Sequence, residues 1–220
     1  MLAKPTMKKT EILRRLRDPG LVAIIRADSS DQLIDATQAL LDGGIQAVEL
    51  TMTTPNTLDA IRGATDQFGD RALLGVGSVL DETTARRAIL AGAQFLVTPV
   101  FRPDVIACCH RYSKPVASGA FTPTEALQAH EAGADFVKLF PADGVGPAYI
   151  KAIKAPMPQL EIIPTGGVSL KTVKDFLDAG CAALAVGGNL VSKEILQNRD
   201  WVKLREAAAA FVEAVRAARK

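Results

Sequence analysis

The sequence predicts a parallel (β/α)8 barrel, a TIM barrel with an extra N-terminal helix, and three observations carry that reading. Eight short apolar runs recur along the 220 residues, at 21–25, 47–50, 72–76, 95–97, 115–117, 136–140, 161–163 and 183–186. They are rich in Val, Ile, Leu and Ala and mostly do not alternate with polar residues, the pattern of strands buried on both faces. Successive runs start roughly 20–27 residues apart, the length of a strand plus a crossover helix and too long for a hairpin. Helix stops of similar form, LDGG at 41–44, LAGA at 90–93, EAGA at 131–134 and DAGC at 178–181, stand just before four of the runs. Glycine there suits the left-handed residue that ends a helix. Alternation alone fits an open sheet as well, but eight near-equal units favour closure.

Taken in order, residues 7–17 form a helix-like stretch with Ile12, Leu13 and Leu16 on one edge, placed to plug the bottom of the barrel. Between the first two runs, Leu33, Ala36, Thr37, Leu40 and Leu41 make one apolar stripe at helical spacing. Leu204, Ala208, Phe211, Val212 and Val215 make another at the chain end. No Pro-, Gly- or Ser-rich linker interrupts the units, so residues 1–220 are expected to form a single barrel domain.

Composition narrows the partner. The 26 basic and 24 acidic residues are spread along the chain and leave a net charge of +2, with no basic face for nucleic acid or an anionic membrane. A small soluble molecule is the expected partner. No apolar run approaches bilayer length, and the basic start MLAKPTMKKT lacks a following hydrophobic secretion segment, so a cytoplasmic protein is expected. Cys108, Cys109 and Cys181 cannot all pair and have no metal-binding spacing; they are read as buried reduced thiols, with no metal site expected. His110 and His130 lie in helix-like segments without a partner motif and are read as surface or cap residues.

Catalytic groups of a parallel barrel gather where its strands end, so the residues closing each run are the candidates. They are Arg26 after the first, Glu49 and Thr51 in the second, and Gly75-Val76-Gly77-Ser78 at the third. Thr98-Pro99, Ser118-Gly119, Lys138, Thr165-Gly166-Gly167 and Gly187-Gly188-Asn189 follow in turn. Lys138 stands out because Phe136, Val137, Leu139 and Phe140 surround it with apolar strand, where an ammonium is costly. One reading is a packed stem with a solvated head, or a plain ion pair. The other is a desolvated amine, partly neutral at working pH, that attacks a ketone to form an iminium. Glu49 sits in an equally apolar run, Val48-Glu49-Leu50, and fits either a salt bridge or the proton transfers of Schiff-base chemistry. Two Gly-Gly pairs at the seventh and eighth strand ends mark where barrels cradle phosphate with backbone N–H groups, although each alone fits a tight turn.

Those residues resemble the 2-dehydro-3-deoxy-phosphogluconate aldolases, a family that includes 2-dehydro-3-deoxy-6-phosphogalactonate and 4-hydroxy-2-oxoglutarate aldolases. The resemblance spans nearly the whole chain through VELTMTTP at 48–55, GVGSVL at 75–80, FLVTP at 95–99, FVKLFPA at 136–142, PTGGV at 164–168 and AVGGNLV at 185–191. It implies a class I aldolase on a (β/α)8 barrel, usually a homotrimer, that needs no metal or organic cofactor and acts on a keto-acid sugar phosphate. Lys138 would then be the Schiff-base lysine and Glu49 the proton shuttle. Ser78, Pro99 and Gly119 would border the keto-acid end, Phe140 would form an apolar wall, and Thr165, Gly166, Gly167 and Gly188 would face the phosphate.

Some members bind the keto-acid carboxylate with an Arg four residues after the Glu, where this chain has Thr53; others use an Arg ending the first strand, as Arg26 does. A planar guanidinium there could hold the carboxylate bidentately. Asn189 stands where a serine is frequent, and Thr165 resembles the gluconate-specific form. Two other classes share part of this pattern. A phosphate-binding isomerase or synthase barrel would keep the Gly-Gly turns without requiring Lys138, and a sugar-phosphate binder would keep Lys138 and Glu49 as a structural pair.

Overall fold

A computed structural model describes residues 7–219. Eight parallel strands lie in one sheet: β1 (Leu21–Ile25), β2 (Ala47–Thr51), β3 (Leu73–Gly77), β4 (Phe95–Val97), β5 (Val116–Ala120), β6 (Phe136–Leu139), β7 (Ile162–Pro164) and β8 (Leu184–Val186). They are ordered β7-β6-β5-β4-β3-β2-β1-β8. An isolated parallel bridge between Thr165 and Ala185, with Ala182 N–H donating to Ile162 C=O at 2.9 Å, brings the two ends of that series together. The sheet therefore closes on itself, as a (β/α)8 TIM barrel with an added N-terminal helix.

Helices alternate with the strands. The first, α1 (Lys9–Arg17), precedes β1; α2 (Ser30–Asp42), α3 (Thr57–Phe68), α4 (Glu82–Ala91) and α5 (Pro103–Arg111) follow β1 to β4. Then come α6 (Pro123–Glu131), α7 (Gly146–Lys154) and α8 (Val173–Asp178), with α9 (Lys193–Asn198) and α10 (Trp201–Ala218) after β8. The stripe predicted for the final helix is the one buried, through Leu204, Ala208, Phe211 and Val215. None of the described helices is long and apolar enough to cross a membrane.

Two apolar layers explain why the strands read as continuous hydrophobic runs. Strand residues such as Ala23, Val48, Leu74, Leu96, Val137 and Leu184 pack outward with the helices. Their neighbours Val22, Ala47, Leu73, Phe95, Ala117, Phe136 and Ile163 pack inside the barrel with Ile12 and Leu16 of α1. The helix before β1 thus closes the lower mouth as its apolar edge suggested. It is tied down by Lys9 to Asp135 at 2.7 Å and Arg17 to Glu161 at 3.0 Å, and the Arg17 guanidinium lies 5.2 Å from the Phe136 ring centroid.

Alternation within each strand then decides what the upper mouth receives. Counting in twos from Val22, Ala47, Phe95, Phe136 and Ile163, the inward positions near the strand ends are Arg26, Glu49, Pro99, Lys138 and Thr165. Six of the eight strands differ from the predicted runs, mostly by one residue at an end, and two of the differences bear on the site. The fifth strand runs on through Gly119 and Ala120, which pair with Lys138 and Leu139. Gly119 can do this because a Cβ there would lie 2.2 Å from the Pro99 backbone, so two main chains approach where no side chain fits. Phe140 lies just beyond the end of β6 rather than within it.

The three cysteines are free and buried, and burial pushes the Cys109 and Cys181 thiols up to about 12. His110 is exposed and its Nε2 lies 2.9 Å from Gly133 C=O, a contact between the ends of α5 and α6; His130 is exposed as well.

The loop between β3 and α4 is fixed by a side-chain cap. Asp81 accepts from Thr84 N–H at 2.7 Å and from its hydroxyl at 2.8 Å, and the backbone bond leads in holding the carboxyl below its ordinary range. Asp81→Ala should lower the unfolding free energy by about 1 kcal/mol near pH 7, the usual value of such a cap. Because the folded-state pKa is depressed, that contribution is present above the ordinary carboxylate range and lost as pH falls through the folded value. Denaturant melts of both proteins should therefore converge in acid; a gap that stays constant would refute the cap assignment.

Candidate active site

Inside the upper half of the barrel, Glu49 and Lys138 meet. Glu49 is 2% exposed and Lys138 6%, and the Lys138 Nζ lies 3.7 Å from Glu49 Oε1. That separation is an ion-pair contact outside hydrogen-bond range, so the two side chains offset each other's charge without being locked together. Nζ also lies 5.4 Å from the centroid of the Phe140 ring, which is partly exposed above it.

Room for the carboxylate is made by a glycine. A Cβ at Gly77 would fall 1.7 Å from Glu49 Oε1 and 2.4 Å from its Cδ. Two residues earlier, a Cβ at Gly75 would fall 2.3 Å from the Phe95 ring. The glycines of β3 thus let one aromatic ring floor the barrel and one carboxylate stand above it. Ser78 follows with φ +61°, a left-handed conformation uncommon for a residue with a side chain.

The threonines after Glu49 act on the backbone. The Thr51 hydroxyl is buried, 3.3 Å from Ile25 C=O and 2.9 Å from the Thr53 hydroxyl; Thr54 Oγ1 accepts from Ala27 N–H at 3.1 Å. Together they clamp the end of β1, where Arg26 leaves the strand. Thr98 does the same between β4 and β5, accepting from Gly119 N–H at 3.0 Å and donating to Val100 C=O at 2.7 Å.

A cleft of about 520 Å³ opens at the upper mouth between β1, β7 and β8, and Arg26, Phe140, Thr165, Gly166, Gly167, Gly188 and Asn189 all line it. Thr165 also faces the barrel interior beside Glu49 and Lys138, which joins the reacting pair to the cleft. Its hydroxyl is buried and has no partner among the described residues. Arg26 is exposed, with no carboxylate within ion-pair distance among the described residues.

The two Gly-Gly pairs differ. Gly166 and Gly167 have φ values of +99° and +71° and crowd Asp143, so the turn itself requires them. Gly188 has open space where a Cβ would stand, and Gly187 has only an ordinary contact with Ile24. Neither has a left-handed φ, so no conformational demand of this chain accounts for that pair. The Asn189 amide donates to Val168 C=O at 2.8 Å and ties the two loops together.

Thr51, Ser78, Pro99 and Gly119 line neither the cleft nor the interior space around Lys138. Sequence reasoning passed over Asp28 and Lys193, which do line the cleft. A signal for Lys193 was present, a cation opening the helix after a Gly-Gly strand end. Asp28 had none. No group of three or more His, Cys, Asp or Glu among the described residues is placed to share a metal ion.

Comparison with known proteins agrees with this geometry. The family model described as KDPG and KHG aldolase matches residues 12–207. A 2-dehydro-3-deoxy-6-phosphogalactonate aldolase of Escherichia coli (strain K12) is 36% identical over 199 residues, 90% of this chain and 95% of that protein. A 2-dehydro-3-deoxy-phosphogluconate aldolase of Pseudomonas aeruginosa is 33% identical, over 90% of this chain and 91% of that one. A crystal structure of KDPG aldolase from Legionella pneumophila, with pyruvate captured as a covalent carbinolamine, superposes with a TM-score of 0.85 at 25% identity, covering 92% of this chain and 98% of the other. The chain therefore belongs to the KDPG and KHG aldolase family and is a lyase that cleaves carbon–carbon bonds.

Proposed function

We propose that this chain cleaves 2-dehydro-3-deoxy-6-phosphogluconate to pyruvate and glyceraldehyde 3-phosphate through an iminium on Lys138. The observation that carries the reading is the buried Lys138–Glu49 pair at 3.7 Å, open to a cleft with glycines that the fold does not require. The unprotonated amine attacks the C2 ketone, and Glu49 donates a proton as the carbinolamine loses water. The iminium then withdraws electrons from the C3–C4 bond. As that bond breaks, the C4 hydroxyl proton passes to Glu49, the aldehyde leaves, and an enamine remains on Lys138. Protonation at C3 and addition of water release pyruvate and restore the amine. The same electron sink would accept the electrons of an oxaloacetate decarboxylation.

Arg26 is the proposed anchor for the keto-acid carboxylate: it faces the cleft unpaired among the described residues, and Thr53 carries no charge and bonds Thr51. Gly188, Gly166, Gly167 and the Lys193 ammonium are the proposed phosphate end, with the unpartnered Thr165 hydroxyl between the two ends. Thr165 favours the gluconate epimer. The galactonate epimer is a second reading, supported by the 36% identical relative. A homotrimer in the cytoplasm completes the proposal. Leu80, Val100 and Phe121 are 51%, 50% and 41% exposed on loops after three adjacent strands, an apolar surface suited to burial between subunits.

Borohydride reduction in the presence of pyruvate should add a three-carbon unit to Lys138, and Lys138→Met should abolish both that adduct and cleavage while the circular dichroism of the barrel is kept. An adduct on another lysine would overturn the assignment. Comparing the cleavage rates of both C4 epimers in the same assay decides between the two substrate readings.

Gly77→Ala pushes a methyl group into the Glu49 carboxylate. Trapping at Lys138 should persist, whereas proton exchange at the pyruvate methyl group should slow at least tenfold, on the order of one proton-transfer catalyst. Exchange at the original rate would place the shuttle elsewhere.

Arg26→Ala should weaken keto-acid binding by about 1.5–3 kcal/mol, the scale of a hydrogen-bonded charge. Arg26→Lys should recover part of it, since it restores charge but not the planar fork. The readouts are the concentration dependence of pyruvate trapping and the affinity for an inert sugar phosphate. Loss confined to pyruvate is the expected pattern, and equal loss for both ligands would move Arg26 to the phosphate end.

A further inference from the structure

At the lower rim of the barrel, away from the cleft, lies a second cavity of about 620 Å³. Lysines near the lower ends of the strands meet their needs in different ways. Lys9 pairs with Asp135 at 2.7 Å, and the Lys154 ammonium donates to Leu160 C=O at 2.6 Å and Pro158 C=O at 3.3 Å. Lys114, just before β5, is 9% exposed and lines the cavity, yet its ammonium has no hydrogen-bond acceptor and no carboxylate partner among the described residues. Burial alone pulls its pKa below the ordinary lysine value, with no anion acting against it. The stem is buried while Nζ itself keeps contact with solvent, so the ammonium opens to the cavity, where an anion from outside the chain can meet it.

A second donor faces the same space. Gln94 uses its Oε1 to accept from Leu74 N–H at 2.9 Å, which fixes the amide plane; its Nε2 has no acceptor among the described residues. Among the described residues, Asp70 is the sole acid lining the cavity, against three lysines. Leu90 stands at the cavity 61% exposed, beside Ile89. We infer that this cavity binds a small aliphatic carboxylate, its two oxygens accepting from Lys114 Nζ and Gln94 Nε2 and its chain covering Leu90. A cation and an amide N–H suit the two oxygens of a carboxylate, and the exposed Leu90 beside them suits an aliphatic chain, which a bare phosphate lacks.

Butyrate is a suitable probe, because it has no ketone and cannot form an adduct at Lys138. Calorimetric titration of the intact protein should give a saturable site whose affinity falls at least tenfold in Lys114→Met and in Gln94→Glu, where the donor becomes a second anion. Both variants should retain borohydride trapping at Lys138, so failure here is separable from failure of the aldolase reading. In the wild-type protein, butyrate should shift the methyl resonances of Ile89 and Leu90 and leave that of Ile24, at the cleft, in place. Butyrate binding that is indifferent to Lys114, shifts confined to Ile24, or no saturable binding would each overturn the assignment. Inorganic phosphate displacing butyrate through the same two residues, and binding more tightly, would overturn the carboxylate preference.

Discussion

Two opposite charges held 3.7 Å apart inside an apolar barrel set the terms for the rest of this molecule. Each would be costly there alone, and removing one would leave the other stranded. The barrel meets that cost by geometry. Alternation along β2 and β6 turns Glu49 and Lys138 inward together, and the glycines of β3 leave the space that the carboxylate occupies. Phe95 and Phe136 fill the barrel beneath them, backed by Ile12 and Leu16 from α1. The lower half is therefore packed apolar side chains, and the upper half is the place where polar groups can converge.

The same division separates residues that hold the site from residues that face it. Thr51, Thr54 and Thr98 use their hydroxyls on the backbone and fix the ends of β1, β2, β4 and β5. The close pairing of Gly119 with the Pro99 backbone belongs with them. Arg26, Thr165 and Gly188 instead keep unused donors or open space toward the cleft. A short motif such as VELTMTTP thus carries one inward charge and a set of clamps that aim its neighbours.

Much of this was legible in the sequence, for physical reasons that differ by element. Strands buried on both faces leave uninterrupted apolar runs, so all eight were found with small boundary differences. Lys138 and Glu49 were legible because a charge within such a run is expensive and visible. The fifth strand was cut short because Ser118-Gly119 resembles a turn; only the approach of the Pro99 backbone shows why a glycine stands inside the strand. Gly75 and Gly77 were noticed as a strand end, but their use depends on Phe95 and Glu49, which are distant in sequence. Asp28 reaches the cleft from a loop, where a charged residue is too ordinary to attract notice, and Lys193 from a helix start whose only signal was the Gly-Gly strand end before it. Lys114 was invisible for the same reason: whether a lysine finds a partner is a property of the folded surroundings.

The closure between β7 and β8 has a mechanical side. Elsewhere neighbouring strands share registers of two to five residue pairs, whereas these two meet at the Thr165–Ala185 bridge and at the bond from Ala182 to Ile162. The thinnest seam of the barrel therefore runs directly under the cleft that Thr165 and Ala185 both line. Regions with few ladder bonds open at the lowest free energy. Strands β2 and β6, which carry the carboxylate and the lysine, are instead held by registers of three to five pairs on both sides. The ladders are longer around the lysine and the carboxylate, and the shortest one lies beneath the cleft.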